Sequence, residues 1–105
     1  MGERTANVSP GNLAETIDSL MQTIASREKA DTAESYTARL LTEPWDYALK
    51  KLIEESFELC LAIKDDDHDH IRYEAADLVY HLLVVLQRAG VSLSELAGEL
   101  NARMK

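Results

Sequence analysis

The sequence predicts an all-α fold, a helical bundle of about four main helices with one short extra helix. Apolar residues recur at three- to four-residue spacing through most of the chain, and no segment shows sustained alternation of apolar and polar residues. The 105 residues are 46% hydrophobic and 29% charged, which is a globular composition. A chain of this length makes about one domain.

Residues 1–11 are polar and without periodicity, so we expect a flexible N-terminal tail before a helical domain that spans 12–105. Asn12 is a suitable N-cap for a first helix at about 12–27. A charged linker follows, and a short helix is expected at about 35–41.

Two long helices are predicted next. Pro44 suits the first turn of a helix at about 44–64, because its missing N–H costs nothing there. An acidic turn, 65–70, then leads to a strongly apolar helix at about 67–89, which is expected to be largely buried. The first of these helices carries an apolar stripe that we assign to the core or to an interface, made of Trp45, Leu49, Leu52, Ile53, Phe57, Cys60 and Ile63.

The last helix has clear start signals. Gly90 suits the position after a helix end, where a left-handed backbone is common. Ser92, with Glu95 three residues later, forms a capping-box pattern. A final amphipathic helix is therefore expected to end at about Met104.

The charge of the chain excludes some partners. It has 19 acidic and 11 basic residues, a net charge of −8, which disfavours binding to nucleic acid. Its longest apolar run, Leu82–Leu86, is far shorter than the roughly 20 residues that cross a bilayer, so no membrane partner is expected. Cys60 is the single cysteine and no secretory leader is evident, which favours the cytoplasm.

Two acidic motifs carry the strongest chemical signal. Glu54, Glu55 and Glu58 share one face of the second long helix, and Glu74 and Asp77 lie within one turn on the next helix. The short turn makes the two helices antiparallel neighbours. Carboxylates that converge there would repel one another unless a hard divalent cation binds, and oxygen ligands suit Mg²⁺ or Mn²⁺. Because Mg²⁺ is usually shared with phosphates, a polyphosphate ligand is implied.

Simpler interpretations of these residues stay open. Acidic faces of helices more often only face solvent. The mixed Asp and His residues of 65–70 lack the spacing and the glycine of a calcium loop and are predicted to form a solvated turn. A di-iron centre would need Glu-x-x-His pairs, and neither His70 nor His81 follows a glutamate by three residues.

With these motifs the sequence resembles the all-α nucleoside-triphosphate pyrophosphohydrolases of the MazG type. Within that superfamily it is similar to the phosphoribosyl-ATP pyrophosphatase family of histidine biosynthesis, over about residues 13–104. The blocks that carry this similarity are, in chain order, Ser35-Tyr36-Thr37, Lys50-Lys51, Glu54-Glu55-x-x-Glu58, Glu74-x-x-Asp77, Tyr80-His81 and Gly90-Val91-Ser92-Leu93.

The resemblance implies Mg²⁺-dependent hydrolysis of phosphoribosyl-ATP to phosphoribosyl-AMP and pyrophosphate, with Mn²⁺ as a possible substitute ion. It also implies a homodimer whose helices form one larger bundle. Its metal ligands would be Glu55, Glu58, Glu74 and Asp77. Glu54 would support the site or orient water, so that the candidate catalytic residues are Glu54, Glu55 and Glu58.

The resemblance further implies that Lys50 and Lys51 lie near phosphate or ribose groups of the substrate. Tyr80, on the flank of the acidic face, and His81 are further candidates for substrate contact, and a packed tyrosine and a groove or interface histidine stay open as alternatives. Lys51 is favoured over Lys50, because it lies inside the acidic sector of its helix. His81 shares a face with Asp77 and is a candidate to orient that carboxylate. Tyr36 is placed near the site by the resemblance alone.

Two other functions stay open. One is a house-cleaning pyrophosphohydrolase for nucleotides such as dCTP or non-standard triphosphates, with the same metal site and another base pocket. The other is a non-catalytic acidic dimer that acts as an interaction module. A comparison of pyrophosphate release from phosphoribosyl-ATP and from a panel of dNTPs would distinguish the two enzymatic functions. Saturable Mg²⁺ binding would distinguish an enzyme from a non-catalytic module.

Overall fold

The computed structural model describes residues 8–104, and within that range the chain is all α-helical, as predicted. Residues 8–12 precede the first helix without regular structure, and the rest of the predicted tail lies outside the described residues. The helices are α1 (Leu13–Ser26), α2 (Tyr36–Thr42), α3 (Trp45–Lys64), α4 (His68–Ala89) and α5 (Leu93–Arg103).

The predicted helix starts are confirmed at α1 and α5. The Asn12 side chain accepts a hydrogen bond from the backbone N–H of Glu15, at 3.1 Å. At α5 the Ser92 hydroxyl accepts from the N–H of Glu95, and the Glu95 carboxylate accepts from the N–H of Ser92, which completes the capping box. All three bonds satisfy backbone N–H groups at the start of a helix, where no partner within the helix is available.

The helices predicted at about 44–64 and 67–89 are confirmed within one residue as α3 and α4, but two details at their starts differ from the prediction. Pro44 is the N-cap of α3 and lies just before its first turn. The acidic turn is shorter than 65–70, because Asp67 caps α4 by accepting from the N–H of His70. Asp66 takes a left-handed backbone, with φ of 55°, and this reverses the chain within three residues. His70 therefore lies on α4 and not in a turn.

The antiparallel pair of α3 and α4 is the most extensive contact of the fold, and α1 and α2 pack on α4. α5 has no buried residue. Within residues 8–104, no single helix is long and apolar enough to cross a membrane, and α4 and α5 reach that length and composition only together, bent by 110°. The core cluster consists of Met21, Ile24, Leu40, Leu41, Ala48, Leu83 and Val84.

The apolar stripe of α3 does not form the core of this chain. Ile53 and Phe57 are 70% and 63% exposed, and Trp45 and Cys60 are also exposed. Glu55, on the other face, has no exposed surface. The prediction of a core stripe is wrong because α3 turns its acidic face toward α4. A position in an interface stays a prediction.

Arg88 of α4 joins three helices near the core. Its guanidinium donates a 2.9 Å hydrogen bond to the carbonyl of Leu40 in α2 and lies 4.3 Å from the ring centroid of Trp45 in α3. A cation over an indole ring is favourable, and the bonded carbonyl belongs to the end of α2. These contacts fix the end of α2 and the start of α3 against α4.

The two glycines at α5 provide a matched test of the fold. Gly90 has φ of 80° and Gly98 lies inside α5, and an added Cβ meets no atom within 4 Å at either position. We expect Gly90→Ala to destabilise the protein by about 1 kcal/mol, through backbone strain alone. Gly98→Ala should stabilise it by about 0.5–1 kcal/mol. Thermal unfolding would measure both, and equal melting temperatures would contradict the left-handed assignment.

Candidate active site

The acidic motifs of α3 and α4 meet in the interior, as their spacing predicts. One carboxylate oxygen from each of Glu55, Glu58 and Glu74 lies within 4.8 Å of the others. Asp77 is outside this group of three, but its charge acts on Glu55 and it lies one turn along α4 from Glu74. We call these four residues the carboxylate cluster.

The carboxylate cluster is buried and lacks hydrogen-bond donors. Glu55 and Glu74 are 0% and 3% exposed. A buried polar atom without a partner costs about 1–3 kcal/mol, and more when it is charged. Among residues 8–104, no donor reaches five of the buried oxygens, which are Glu55 Oε1, Glu55 Oε2, Glu58 Oε2, Glu74 Oε2 and Asp77 Oδ2.

This donor set fits a hard divalent cation. Mg²⁺ and Mn²⁺ prefer oxygen ligands, and four carboxylates from two helices offer only oxygen. A bound cation would supply the positive charge that the five unpartnered oxygens lack. The residues that could hold it are those of the carboxylate cluster.

Burial and mutual repulsion shift the titration of the cluster. Burial raises the pKa of Glu55 to about 7, and the charges of Asp77 and Glu58 add to the shift. Burial and the contact with Glu58 raise the pKa of Glu74. The pKa of Asp77 is also raised by burial, although His81 opposes the shift. Without a cation, Glu55 therefore exchanges its proton near neutral pH.

Glu54 is separate from the carboxylate cluster. Its side chain is 41% exposed, and its carboxylate lies 3.3 Å from Nζ of Lys51 and 3.9 Å from Nζ of Lys50. The Lys51 side chain is 24% exposed and that of Lys50 is 76% exposed. Lys51 thus has the more enclosed ammonium group, in agreement with its place in the acidic sector. Contact of either lysine with substrate stays a prediction.

His81 does not orient the carboxylate of Asp77. It is 2% exposed, and its Nδ1 donates a 2.8 Å hydrogen bond to the main-chain carbonyl of Asp77. Since a carbonyl can only accept, Nδ1 must carry a proton. In the neutral ring, Nε2 then accepts from the Tyr36 hydroxyl, 2.8 Å away. His81 thus holds Tyr36 in place.

Tyr36 lies beside the cluster, where the resemblance had placed it. Burial raises the pKa of its hydroxyl far above the ordinary value, and the charges of Glu55 and Asp77 contribute to the shift. The Tyr36 ring stacks on Tyr80, with centroids 6.4 Å apart. The Tyr80 hydroxyl is hydrogen-bonded to that of Thr37. The Ser-Tyr-Thr and Tyr-His motifs are therefore one contact between α2 and α4.

Comparison with known proteins agrees with this geometry. The family model described as phosphoribosyl-ATP pyrophosphohydrolase matches residues 17–104, which include the whole carboxylate cluster. The chain belongs to this family. Proteins named phosphoribosyl-ATP pyrophosphatase are similar to it over most of their length. The one from Rhizobium rhizogenes is 44% identical over 88 residues, which are 84% of this chain and 85% of the relative.

Two more relatives of the same name show similar agreement. The protein from Nitrosomonas eutropha is 45% identical over 80% of this chain and 72% of its own length. The protein from Neisseria gonorrhoeae is 40% identical over 83% of this chain and 81% of its own length. Phosphoribosyl-ATP pyrophosphohydrolases thus share the span from α1 to α5.

Two neighbours of the cluster were missed by the sequence analysis. His70 Nε2 lies 3.5 Å from Glu74 Oε1. Tyr73 is half-buried, and burial, followed by the charges of Asp77 and Glu74, raises the pKa of its hydroxyl. Each precedes a cluster carboxylate by four residues, a spacing that shares a helix face. That spacing, within the helix predicted at about 67–89, could have found both.

The raised pKa of Glu55 predicts how stability depends on pH without metal. The folded protein binds more protons than the unfolded chain between pH 4.5 and about 7, so stability is full below that window and is lost as pH rises through it. Glu55→Gln should remove this loss and stabilise the metal-free protein at pH 8 by about 1–3 kcal/mol.

Thermal unfolding in EDTA at pH 5 and pH 8 would measure this effect. Each kcal/mol should move the melting temperature by roughly 4–8 °C for a domain of this size. Glu99→Gln is the matched control, because Glu99 is exposed and pairs only with Arg103 at 2.8 Å. A wild-type protein that is more stable at pH 8 than at pH 5 would contradict the prediction.

Proposed function

We propose that this chain hydrolyses phosphoribosyl-ATP to phosphoribosyl-AMP and pyrophosphate, a step of histidine biosynthesis. The carrying observation is the buried carboxylate cluster with its five unpartnered oxygens, in a member of the phosphoribosyl-ATP pyrophosphohydrolase family. The names of the relatives favour this substrate over dCTP and over non-standard triphosphates. The same names favour an enzyme over a non-catalytic interaction module.

We also propose that the carboxylate cluster holds Mg²⁺, with Mn²⁺ as a substitute. A bound cation would neutralise the triphosphate and lower the pKa of a coordinated water. The ligands would be Glu55, Glu58, Glu74 and Asp77, five of whose oxygens have no hydrogen-bond partner in the part of the chain described.

The remaining residues of the site have distinct tasks in this proposal. Water attacks one phosphorus of the α–β anhydride, the bond between that phosphorus and the bridging oxygen breaks, and phosphoribosyl-AMP and pyrophosphate separate. Glu54 accepts the proton of the water, because its carboxylate is half-exposed and lies outside the buried cluster. Lys51, which contacts the Glu54 carboxylate at 3.3 Å, releases this contact and binds a phosphate oxygen of the substrate. Tyr36, fixed by His81, closes the side of the site formed by α2.

The exposed apolar stripe of α3 supports a homodimer. A second copy would remove from water the side chains that this chain leaves exposed, and contiguous apolar patches often mark such interfaces. The two acidic faces would then lie in one larger bundle. The residues we assign to this interface are Leu49, Ile53, Phe57, Leu61 and Ile63.

We further propose a cytoplasmic location. The chain has one cysteine, Cys60, which is free, and the proposed reaction consumes a small nucleotide substrate.

The metal site predicts a loss of activity in Glu58→Gln. Removal of one ligand charge should lower kcat/KM for phosphoribosyl-ATP by about 100- to 1000-fold, since metal stabilisation of the transition state is worth several kcal/mol. Pyrophosphate release during Mg²⁺ titration would measure it, with Glu99→Gln as the control and a panel of dNTPs as competing substrates. Equal turnover by Glu58→Gln and the wild type would contradict the proposal.

The dimer predicts a change of mass in Phe57→Asp. A charge at this 63% exposed position should separate the two copies, because a buried unpaired charge is costly. Light scattering should then report about 11.8 kDa in place of twice that mass. Leu13→Asp is the matched control, since Leu13 of α1 is 71% exposed and lies off the stripe. A wild-type mass of one copy would refute the dimer.

A further inference from the structure

A cavity of about 300 Å³ opens beside the carboxylate cluster, between the segment before α1 and the N-terminal half of α4. This volume is at the lower end of the range of about 300–1,000 Å³ that is usual for small-molecule sites. Of the residues that the structure describes, those lining the cavity are Val8, Arg72, Tyr73, Ala76 and Asp77. Because Asp77 belongs to the cavity and to the cluster, a molecule in the cavity would extend directly from the cleavage site.

Arg72 gives the cavity a positive charge. Its guanidinium can bind a phosphate through two parallel hydrogen bonds. It now bonds Asp69 at 3.1 Å, and the two side chains are 42% and 65% exposed. An exposed pair of this kind contributes only about 0–1 kcal/mol, so an incoming phosphate can displace Asp69 at small cost.

Other basic side chains near the site also contact carboxylates. Lys50 and Lys51 contact Glu54, and His70 contacts Glu74. Of the described residues that line the cavity, Arg72 is the one with a positive charge. Because α3 and α4 are antiparallel, and Arg72 and the lysines each precede the cluster carboxylates of their own helix, they lie toward opposite ends of the carboxylate cluster.

The walls of the cavity suit a sugar. Tyr73 offers a half-buried aromatic ring with a hydroxyl group, and Ala76 and Val8 add small apolar surfaces. An aromatic side chain with a polar tip can contact both the carbon face and the hydroxyls of a pentose. The cavity thus combines a guanidinium group that can bind an anion with an apolar and aromatic surface that can contact a sugar. Both lie next to the proposed site of phosphate cleavage.

We propose that this cavity binds the phosphorylated pentose that distinguishes phosphoribosyl-ATP from ATP, with Arg72 on its phosphate monoester and Tyr73 against its sugar. The inference rests on the proposed function and adds a specificity site to it. A plain nucleoside triphosphate would reach the carboxylate cluster and leave the cavity empty. Arg72 therefore determines which substrate is preferred.

The test is the ratio of kcat/KM for phosphoribosyl-ATP to kcat/KM for ATP, measured by pyrophosphate release in Mg²⁺. Loss of a charge-assisted contact of about 1.5–3 kcal/mol should lower this ratio about 10- to 100-fold in Arg72→Gln, mainly through KM for phosphoribosyl-ATP. Arg72→Lys should recover part of it. Arg103→Gln is the matched control, because Arg103 is an exposed arginine paired with Glu99 at 2.8 Å.

Ribose 5-phosphate provides a direct binding probe. Added at millimolar concentration, it should shift the amide NMR signals of Arg72, Tyr73 and Ala76, whereas ribose alone should not. These shifts should be lost in Arg72→Gln. Ala76→Leu, which narrows the cavity at an exposed position, should lower the substrate ratio without removing the arginine and serves if Arg72→Gln fails to fold.

The outcomes separate this inference from the proposed function. If the wild type cleaves phosphoribosyl-ATP, but neither Arg72→Gln nor Ala76→Leu lowers the substrate ratio below that of Arg103→Gln, the cavity proposal is wrong and the function stands. If the wild type cleaves ATP as well as phosphoribosyl-ATP, or neither, the function fails. Absence of ribose 5-phosphate shifts in the wild type would also overturn the cavity proposal.

Discussion

Repulsion among buried carboxylates between α3 and α4 is the constraint on which this structure depends. Glu55 has no exposed surface, and five oxygens of the carboxylate cluster have no donor among residues 8–104. Ionised groups in that position are costly, so the metal-free chain keeps protons there, and the pKa of Glu55 rises to about 7. The same arrangement lowers the stability of the metal-free protein and forms a site for a cation. Such a trade-off between stability and function is common at catalytic centres.

The rest of the fold keeps these two helices and their neighbours in register. Arg88 holds the end of α2 through the Leu40 carbonyl and packs on the Trp45 ring at the start of α3. His81, bonded to the Asp77 carbonyl, fixes the direction of the Tyr36 hydroxyl proton. Asp77 of α4 thus provides both a carboxylate of the cluster and the main-chain carbonyl that positions His81. His81 in turn holds Tyr36 of α2.

α3 is an amphipathic helix that buries its acidic face and exposes its apolar face, the opposite of a helix in a simple bundle. Periodicity identifies an apolar stripe and an acidic face, but it does not say which of them meets a neighbour. Here Glu55 is buried and Phe57 is 63% exposed. In a single chain with this arrangement, the apolar stripe of α3 stays exposed to water. The negative charge of the buried carboxylates also stays uncompensated. The proposed second copy would bury the apolar stripe, and the proposed cation would compensate the charge of the carboxylates.

The sequence by itself determined the features that arise within a few residues along the chain. These are the helices, the Asn12 and Ser92 caps, the left-handed Gly90, and the spacing that brings Glu55 and Glu58 onto one face. Tertiary structure alone decided which face of α3 is buried, that His81 bonds a main-chain carbonyl, and that Arg72 lines a cavity. Caps and periodicity depend on neighbours within four residues, whereas burial and cavities depend on helices that are distant in sequence.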